Sequence, residues 1–243
     1  MERQNLVRLA GVAGTLASVA YAVGDVLLLG RKPEPERHPA VAELHRANRP
    51  VLWMVPSSTN RLTAGAFAGI YASPLHLAAV WHVHQGLAPA GPRRALPPTL
   101  IMAGAWTWAS FIHGSYLHTG QVYKDLEELA DDPRTHERLQ TTAAAFERAT
   151  AMAYAPFGLA VAVASWMIID AVRRGETAYP RWSGPLVAPL APIAVATALT
   201  ATNVLPGRAR HALQGAGISL GTLVSATAST VLLWRKRRVG TAR

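Results

Sequence analysis

Cysteine is absent from this 243-residue sequence, and charged residues make up only 16% of it. The first absence excludes disulfides, thiolate metal sites and cysteine nucleophiles. The low content of charged residues places the chain well below the ~25% charged fraction of an average soluble domain. Half of its residues are hydrophobic. No Gly-x-Ser-x-Gly elbow, Walker loop or dinucleotide-binding fingerprint occurs, so the usual signatures of serine hydrolases and nucleotide-binding enzymes are missing.

Uncharged stretches long enough to cross a bilayer, which takes ~20 mostly apolar residues, recur along the chain. They are residues 9–24, 62–92, 95–123, 149–169, 182–207 and 212–234. The first becomes long enough if Asp25 is accepted as a buried acid, because apolar residues continue to Gly30. We therefore predict one all-α transmembrane domain, 1–243, with six spans at about 6–30, 62–88, 97–121, 147–170, 184–205 and 211–234. The alternatives are a soluble helical bundle and, for the first stretch, a cleaved signal peptide.

With six spans both termini share one side of the membrane. Basic residues are densest near span ends on that side, as in Arg93-Arg94 and Arg173-Arg174, which favours cytoplasmic termini in a multi-pass protein of the cell membrane. The formal charge of +10 is thereby explained without a nucleic-acid partner. Two long connections, 31–61 and 124–148, are predicted on the other side, with helices at 40–48 and 123–146 lying along the membrane surface.

Small residues recur every four positions on two spans. They are Gly65, Gly69 and Ser73 on the second, and Gly217, Gly221, Ser225 and Ser229 on the sixth. Helices in a bilayer associate through close backbone contact at such residues, so these stripes predict tightly packed helix pairs. Pro74 interrupts the second span, and His76 beside it is a candidate to satisfy a carbonyl that the proline frees.

Ionisable and other polar side chains are costly to place inside a bilayer, so their presence there suggests a structural or functional role. Alternating the direction of the spans places nearly all of them in the half of the membrane next to the long connections. This set comprises Asp25, His113, Tyr116, His118, Glu147, Arg148, Tyr154, Thr200, Thr202, Asn203, His211 and Gln214. Polar groups from five helices at one level predict a cavity that opens toward the long connections.

An acid and a histidine at one depth form a general acid–base pair, and aromatic faces stabilise a carbocation. The predicted catalytic residues are Asp25, His113 and Glu147. The predicted substrate-binding residues are Tyr21, Trp106, Tyr116, Tyr154, Asn203 and His211. No cofactor is expected.

Each assignment has an alternative. Asp25 could instead form a structural ion pair with Arg148. Zinc is a second alternative, because His113, His118, His211, Asp25 and Glu147 are all possible ligands. However, His113 and His118 fall on different faces of a helix, and no His-x-x-x-His occurs.

Short motifs along most of the chain resemble those of a family of bacterial six-span membrane proteins. They are Gly24-Asp25 followed by Leu-Leu-Leu-Gly at 27–30, Arg61-Leu62 before Gly65, Pro74-Leu75 before Trp81, Pro89-Ala90-Gly91, and His113. This resemblance implies a fold but no activity. In architecture the chain is also similar to membrane-bound terpene cyclases and sterol isomerases.

The leading functional hypothesis is a membrane enzyme performing acid–base chemistry, namely isomerisation, protonation or cyclisation, on an isoprenoid or other lipid. Its partners would be the bilayer and a hydrophobic small molecule. The alternatives are a proton-coupled or small-molecule transporter and a non-catalytic accessory protein.

Overall fold

The computed structural model of the chain describes residues 3–44, 49–202 and 204–235, which form α-helices joined by turns and loops, without a β-strand. Two of the turns are 3₁₀ helices, at Ala88–Ala90 and Arg181–Ser183. The α-helices of these residues are α1 Arg3–Leu29, α2 Pro39–Leu44, α3 Arg49–Met54, α4 Thr59–Leu87, α5 Pro92–Glu128, α6 Pro133–Arg173, α7 Gly184–Val187, α8 Leu190–Ala201, α9 Gly207–Leu213 and α10 Gly217–Arg235.

The long helices are arranged as a ring. Helix α1 packs between α4 and α10, and α5 packs between α4 and α6. Helix α8 lies along α10, and α7 contacts both α6 and α10, so the ring closes. We call the end that holds the start of α1 and the end of α10 the terminal end, and the opposite end, next to α2 and α3, the loop end.

Among the described residues, three helices are long and apolar enough to cross a membrane: α1, α6 and Gly217–Trp234 of α10. A fourth span is possible if α7 and α8, which are bent by 52° at their junction, act as one broken span. Helices α4 and α5 are longer than most spans, but histidine, tryptophan, tyrosine and glycine lower their mean hydropathy. The chain is therefore an all-helical protein with several membrane-spanning candidates, which indicates a membrane protein, although fewer than the six predicted spans meet this test.

Helices α5 and α6 are longer than their predicted spans. They contain 37 and 41 residues, or about 55 and 60 Å at 1.5 Å per residue, against ~30 Å of hydrocarbon. The predicted surface helix 123–146 is wrong, because these residues instead extend α5 and α6 around a turn at 129–132. The other predicted surface helix appears in part as α2, and residues 45–48 lie outside the described residues.

The extension of α5 and α6 forms a separate hydrophobic core at the loop end. Val41 and Met54, from α2 and α3, pack there with Tyr123 and Leu126 of α5 and Leu28 of α1. All five side chains are at least nine-tenths buried. This layer covers the loop end of the ring.

The predicted fifth and sixth helices are each interrupted. Ala188 has an extended backbone between α7 and α8, and Pro189 caps the start of α8. The predicted start of the sixth helix, at 211, falls in the separate helix α9, and α10 begins only at Gly217. Proline at 185 and 189 removes backbone donors and so explains the first break.

The predicted close packing at small residues is confirmed on α10. A Cβ atom on Gly217 or Gly221 would collide with the backbone of α8, at Thr197 and Ile193 respectively. On α4, a Cβ atom on Gly69 would overlap the imidazole of His113. Glycine at 69 is therefore what allows His113 to lie against α4.

Candidate functional site

Asp25 and His113 meet inside the ring, near the end of α1 and in the middle of α5. Nε2 of His113 lies 3.5 Å from Oδ1 of Asp25, and the two side chains are only 7% and 13% exposed. Ser219 of α10 donates a hydrogen bond to the other carboxylate oxygen, Oδ2, at 2.5 Å. A buried carboxylate requires partners, and here an imidazole and a hydroxyl supply them. Asp25 and His113, which were predicted to lie at the same level, are thus in contact.

Tyr21, one helical turn before the carboxylate, links the two buried histidines. Its ring makes edge contacts with His113 and His76, with centroids 4.3 and 4.8 Å apart. Its hydroxyl lies 2.5 Å from Oγ of Ser73. Because Ser73 donates its own proton to the Gly69 carbonyl, Tyr21 is the donor in this hydrogen bond. Tyr21 is thus held in one orientation against both imidazoles.

His76 and Trp106 stack face to face, with ring centroids 3.7 Å apart and an angle of 3° between the planes. His76 is almost completely buried, and its Nε2 has no hydrogen-bond partner among the described residues. The expected hydrogen bond from His76 to a carbonyl freed by Pro74 is therefore not found at this atom. The imidazole is instead part of an aromatic wall that continues through Tyr21.

Helix α6 closes the opposite wall with two aromatic side chains. The hydroxyls of Tyr154 and Tyr116 lie 3.1 Å apart, and Phe157 makes an edge contact with Trp106 at 5.8 Å between centroids. The wall therefore carries aromatic faces and phenol hydroxyls close to the Asp25 carboxylate.

These side chains surround a cavity of about 50 Å³, which we call the site cavity. Its lining includes Tyr21, Asp25, His76, Trp106, His113, Tyr116, Tyr154, Phe157, Ser219 and Thr222. A second cavity of about 50 Å³, the apolar cavity, lies toward the terminal end and is lined mainly by aliphatic residues such as Val80, Met102 and Ile168. The two cavities share His76, Trp106 and Thr222, so the stacked pair stands between them.

The structure brings together most of the residues that were predicted as a site. Asp25, His113, Tyr21, Trp106, Tyr116 and Tyr154 all line the site cavity. His211 does not line it; the residue is half-buried on α9. Asn203 lies outside the described residues.

Glu147 also lies away from the site cavity. Its Oε1 accepts a hydrogen bond of 3.0 Å from the hydroxyl of Tyr123. Burial, together with this neighbouring carboxylate, raises the pKa of Tyr123, so the phenol keeps its proton and remains the donor. Arg148, the alternative partner of Asp25, is exposed, and Asp25 contacts His113 instead.

Ser219 and Thr222 were not predicted as residues of the site, and His76 was predicted only as a partner for a backbone carbonyl freed by Pro74. Ser219 and Thr222 are hydroxyl residues on an apolar helix, two and five positions after Gly217, and therefore off its small-residue stripe. Nothing in the local pattern distinguishes them from other serines and threonines on α10. His76 could have been found, since a histidine on an apolar helix is evident in the sequence.

No group of three or more histidine, aspartate, glutamate or cysteine side chains converges as a metal site within residues 3–44, 49–202 and 204–235. Asp25 and His113 provide two such groups, and His76 faces them from beyond Tyr21.

A family model described as a family of unknown function, DUF6796, matches residues 1–236 and so includes every residue of the site cavity. No curated protein and no solved structure matches the chain. The match agrees with the predicted resemblance to an uncharacterised family. None of these comparisons supports the likeness to terpene cyclases.

Proposed function

The chain belongs to the family of unknown function DUF6796, and we propose that it is an integral membrane enzyme performing acid–base chemistry on a lipid. The observation that carries the proposal is the buried Asp25–His113 pair, in a cavity that adjoins an apolar one. The substrate class is an isoprenoid or similar apolar lipid. The reaction is a protonation, isomerisation or cyclisation.

The proposal requires six spans: α1, α4, α5, α6, the broken pair α7–α8, and α10. The arrangement of the ring supports spans at α4 and α5, because these helices pack side by side between α1 and α6, both of which are candidate spans. The residues that lower the hydropathy of α4 and α5 include His76, Trp106 and His113, which are buried inside the ring rather than turned to its outer surface. The termini would then lie together on the cytoplasmic side, with α2 and α3 on the other.

Proton transfer is the chemistry that the pair supports best. A general acid or base must lie within hydrogen-bond reach of its partner, and contacts often tighten when a substrate binds. Asp25 and His113 are 3.5 Å apart, and no permanently charged side chain among the described residues pairs with the carboxylate to hold it ionised. Ser219 fixes the carboxylate through its other oxygen. One proton can therefore move between Asp25, His113 and a substrate carbon.

The two cavities suit a substrate with an apolar body and a reacting end. The apolar body would occupy the apolar cavity, and the reacting group would meet Asp25 and His113. Each cavity of about 50 Å³ holds a few water molecules, whereas ligand pockets are typically ~300–1,000 Å³. Binding would therefore require both cavities to widen, in addition to a movement of the His76–Trp106 stack that joins the two spaces.

Aromatic faces around the carboxylate favour a cationic intermediate. Protonating a carbon–carbon double bond leaves a carbocation, which is attracted to the faces of tryptophan and tyrosine rings. Trp106, Tyr116, Tyr154 and Phe157 all border the site cavity. These rings support isomerisation or cyclisation more than a hydrolytic reaction.

The test can be run before any substrate has been identified. Purified protein is incubated in D₂O with a total lipid extract of bacterial membranes and with a panel of isoprenoids, and mass spectrometry follows carbon-bound deuterium. We expect the parent to introduce deuterium into at least one lipid and His113→Gln to introduce none. Asp170→Asn is the matched control, because Asp170 is half-exposed and pairs with Arg174. A parent protein that labels no lipid would contradict the proposal.

A proton-coupled transporter is the second candidate. It is favoured by the position of the two cavities, which lie toward opposite ends of the ring on either side of His76 and Trp106. In that case proteoliposomes loaded with a pH-sensitive dye would acidify when a solute gradient is applied, and no lipid would be labelled in D₂O.

A further inference from the structure

A cavity at the terminal end of the bundle is independent of the proposed reaction. This terminal cavity, of about 510 Å³, is lined by residues from the start of α1, the end of α4 and the end of α10. Because α1 and α10 are both candidate spans, it lies where two spans leave the hydrocarbon. Lipid headgroups occupy that level of a membrane.

Two arginines with available donors line the terminal cavity. Cζ of Arg8 lies 5.1 Å from the ring centroid of Trp234, above the face of that ring. Arg3 uses one nitrogen, Nη2, to donate to Gln85 at 3.0 Å. Among the described residues that line the cavity, none is an aspartate or glutamate. Guanidinium edges match the geometry of a phosphate, which can accept two parallel hydrogen bonds.

His82 adds a buried polar group to the same lining. It is only 2% exposed, and its Nδ1 lies 2.7 Å from the Val7 carbonyl. Its Nε2, near the Ser229 backbone, forms no hydrogen bond of normal geometry with the described residues. His82 is thus a buried polar group beside the arginines, held in place by the Val7 carbonyl.

The rest of the lining is apolar or amphipathic. Val7, Leu233 and Trp234 stand beside the arginines, and tryptophan is enriched at membrane interfaces. We propose that the terminal cavity binds an anionic phospholipid, with its phosphate on Arg3 and Arg8 and its glycerol end against Leu233 and Trp234. The apolar side distinguishes a lipid from a free anion, since a free phosphate gains nothing from these contacts.

The test compares phosphatidylglycerol with phosphatidylcholine of the same acyl chains, by native mass spectrometry of the protein in detergent. We expect the parent to retain one phosphatidylglycerol in preference to phosphatidylcholine. Arg3→Gln/Arg8→Gln should weaken phosphatidylglycerol retention by roughly tenfold to thirtyfold, given the contribution of each arginine near an anionic surface. Arg93→Gln/Arg173→Gln is the matched control, because it removes the same charge from exposed sites at the same end.

Several results would overturn the proposal. These are equal retention of the two lipids by the parent, unchanged retention by Arg3→Gln/Arg8→Gln, or equal loss in the control. Inorganic phosphate that binds lipid-free protein with the same dependence on Arg3 and Arg8 would indicate a free-anion site instead. If the double variant melts early, Arg3→Gln alone replaces it, since Arg3 is exposed and its loss removes no packing.

Discussion

Nε2 of His113 lies 3.5 Å from Oδ1 of Asp25, and this contact joins the middle of α5 to the end of α1. The other oxygen of Asp25 is held by the hydroxyl of Ser219. Neither partner carries a permanent charge. An arginine partner would keep the carboxylate ionised, whereas a histidine and a serine allow it to gain or lose a proton. The contact is therefore suited to proton transfer as well as to holding two helices together.

Topology is the first prediction. The chain has no cysteine, so Arg93→Cys and Asp131→Cys each introduce a unique thiol. The two positions are exposed and lie at opposite ends of α5, Arg93 at its start and Asp131 just after its end. If α5 crosses the membrane, a membrane-impermeant maleimide applied to intact cells should label Asp131→Cys, and should label Arg93→Cys only after permeabilisation. Labelling of both from the same side would show that α5 does not cross.

The stripe of small residues on α10 gives the second prediction. Gly221→Leu should lower the melting temperature in detergent, because the new side chain would collide with the backbone of α8 at Ile193. Overpacking of this kind costs about 1–3 kcal/mol. Gly104→Leu is the matched control, since a Cβ atom there meets nothing within 4 Å. Equal melting temperatures for the two variants would show that α8 does not pack closely on this face.

The long helices and the buried Asp25–His113 pair were predictable, because long uncharged stretches and ionisable side chains within them are evident in the sequence. An acid and a histidine in uncharged stretches had to be buried or paired, and this is why Asp25 and His113 were found. The extension of α5 and α6 was not predictable, because residues 124–148 are charged and resemble a helix that lies along the membrane surface. Those charges lie on helical turns beyond the ring, where water solvates them. Ser219 was missed because a single hydroxyl on an apolar helix has no distinguishing pattern.

The start of α6 gives a pH-dependent prediction. Hydrogen bonds from the hydroxyl and amide of Thr135, and from the amide of Arg134, lower the pKa of Asp132, the N-cap residue. Because the pKa is lower in the folded state, Asp132 stabilises the helix above its unfolded pKa, and this contribution is lost as the pH falls through the folded value.

Hydrogen exchange checks this expectation. In the parent, amides of 134–137, corrected for intrinsic rates, should keep their protection above the unfolded pKa of about 4 and lose it as the pH falls below that value. Asp132→Ala should show weak protection throughout, because the cap is absent at every pH. Equal protection in the two proteins at about pH 6 would contradict the capping role.

The position of His113 depends on Gly69, and this gives a prediction that removes no polar group. A Cβ atom in Gly69→Ala would overlap the imidazole and should displace it from Asp25. We therefore expect deuterium labelling of lipid in D₂O to fall at least tenfold, because small misplacements of catalytic groups are costly. Gly158→Ala, where a Cβ atom meets nothing within 4 Å, should label like the parent. Full labelling by Gly69→Ala would show that the contact with Asp25 is dispensable.

The most direct test of the central claim measures stability and lipid labelling on one sample of Asp25→Asn. Asparagine can keep the hydrogen bond with Ser219 but cannot exchange a proton with His113. The account predicts that the free energy of unfolding changes by less than about 1.5 kcal/mol, while carbon-bound deuterium from D₂O disappears from the lipid. A variant that is destabilised by several kcal/mol and still labels the lipid at the parent's rate would contradict it, because Asp25 would then be structural.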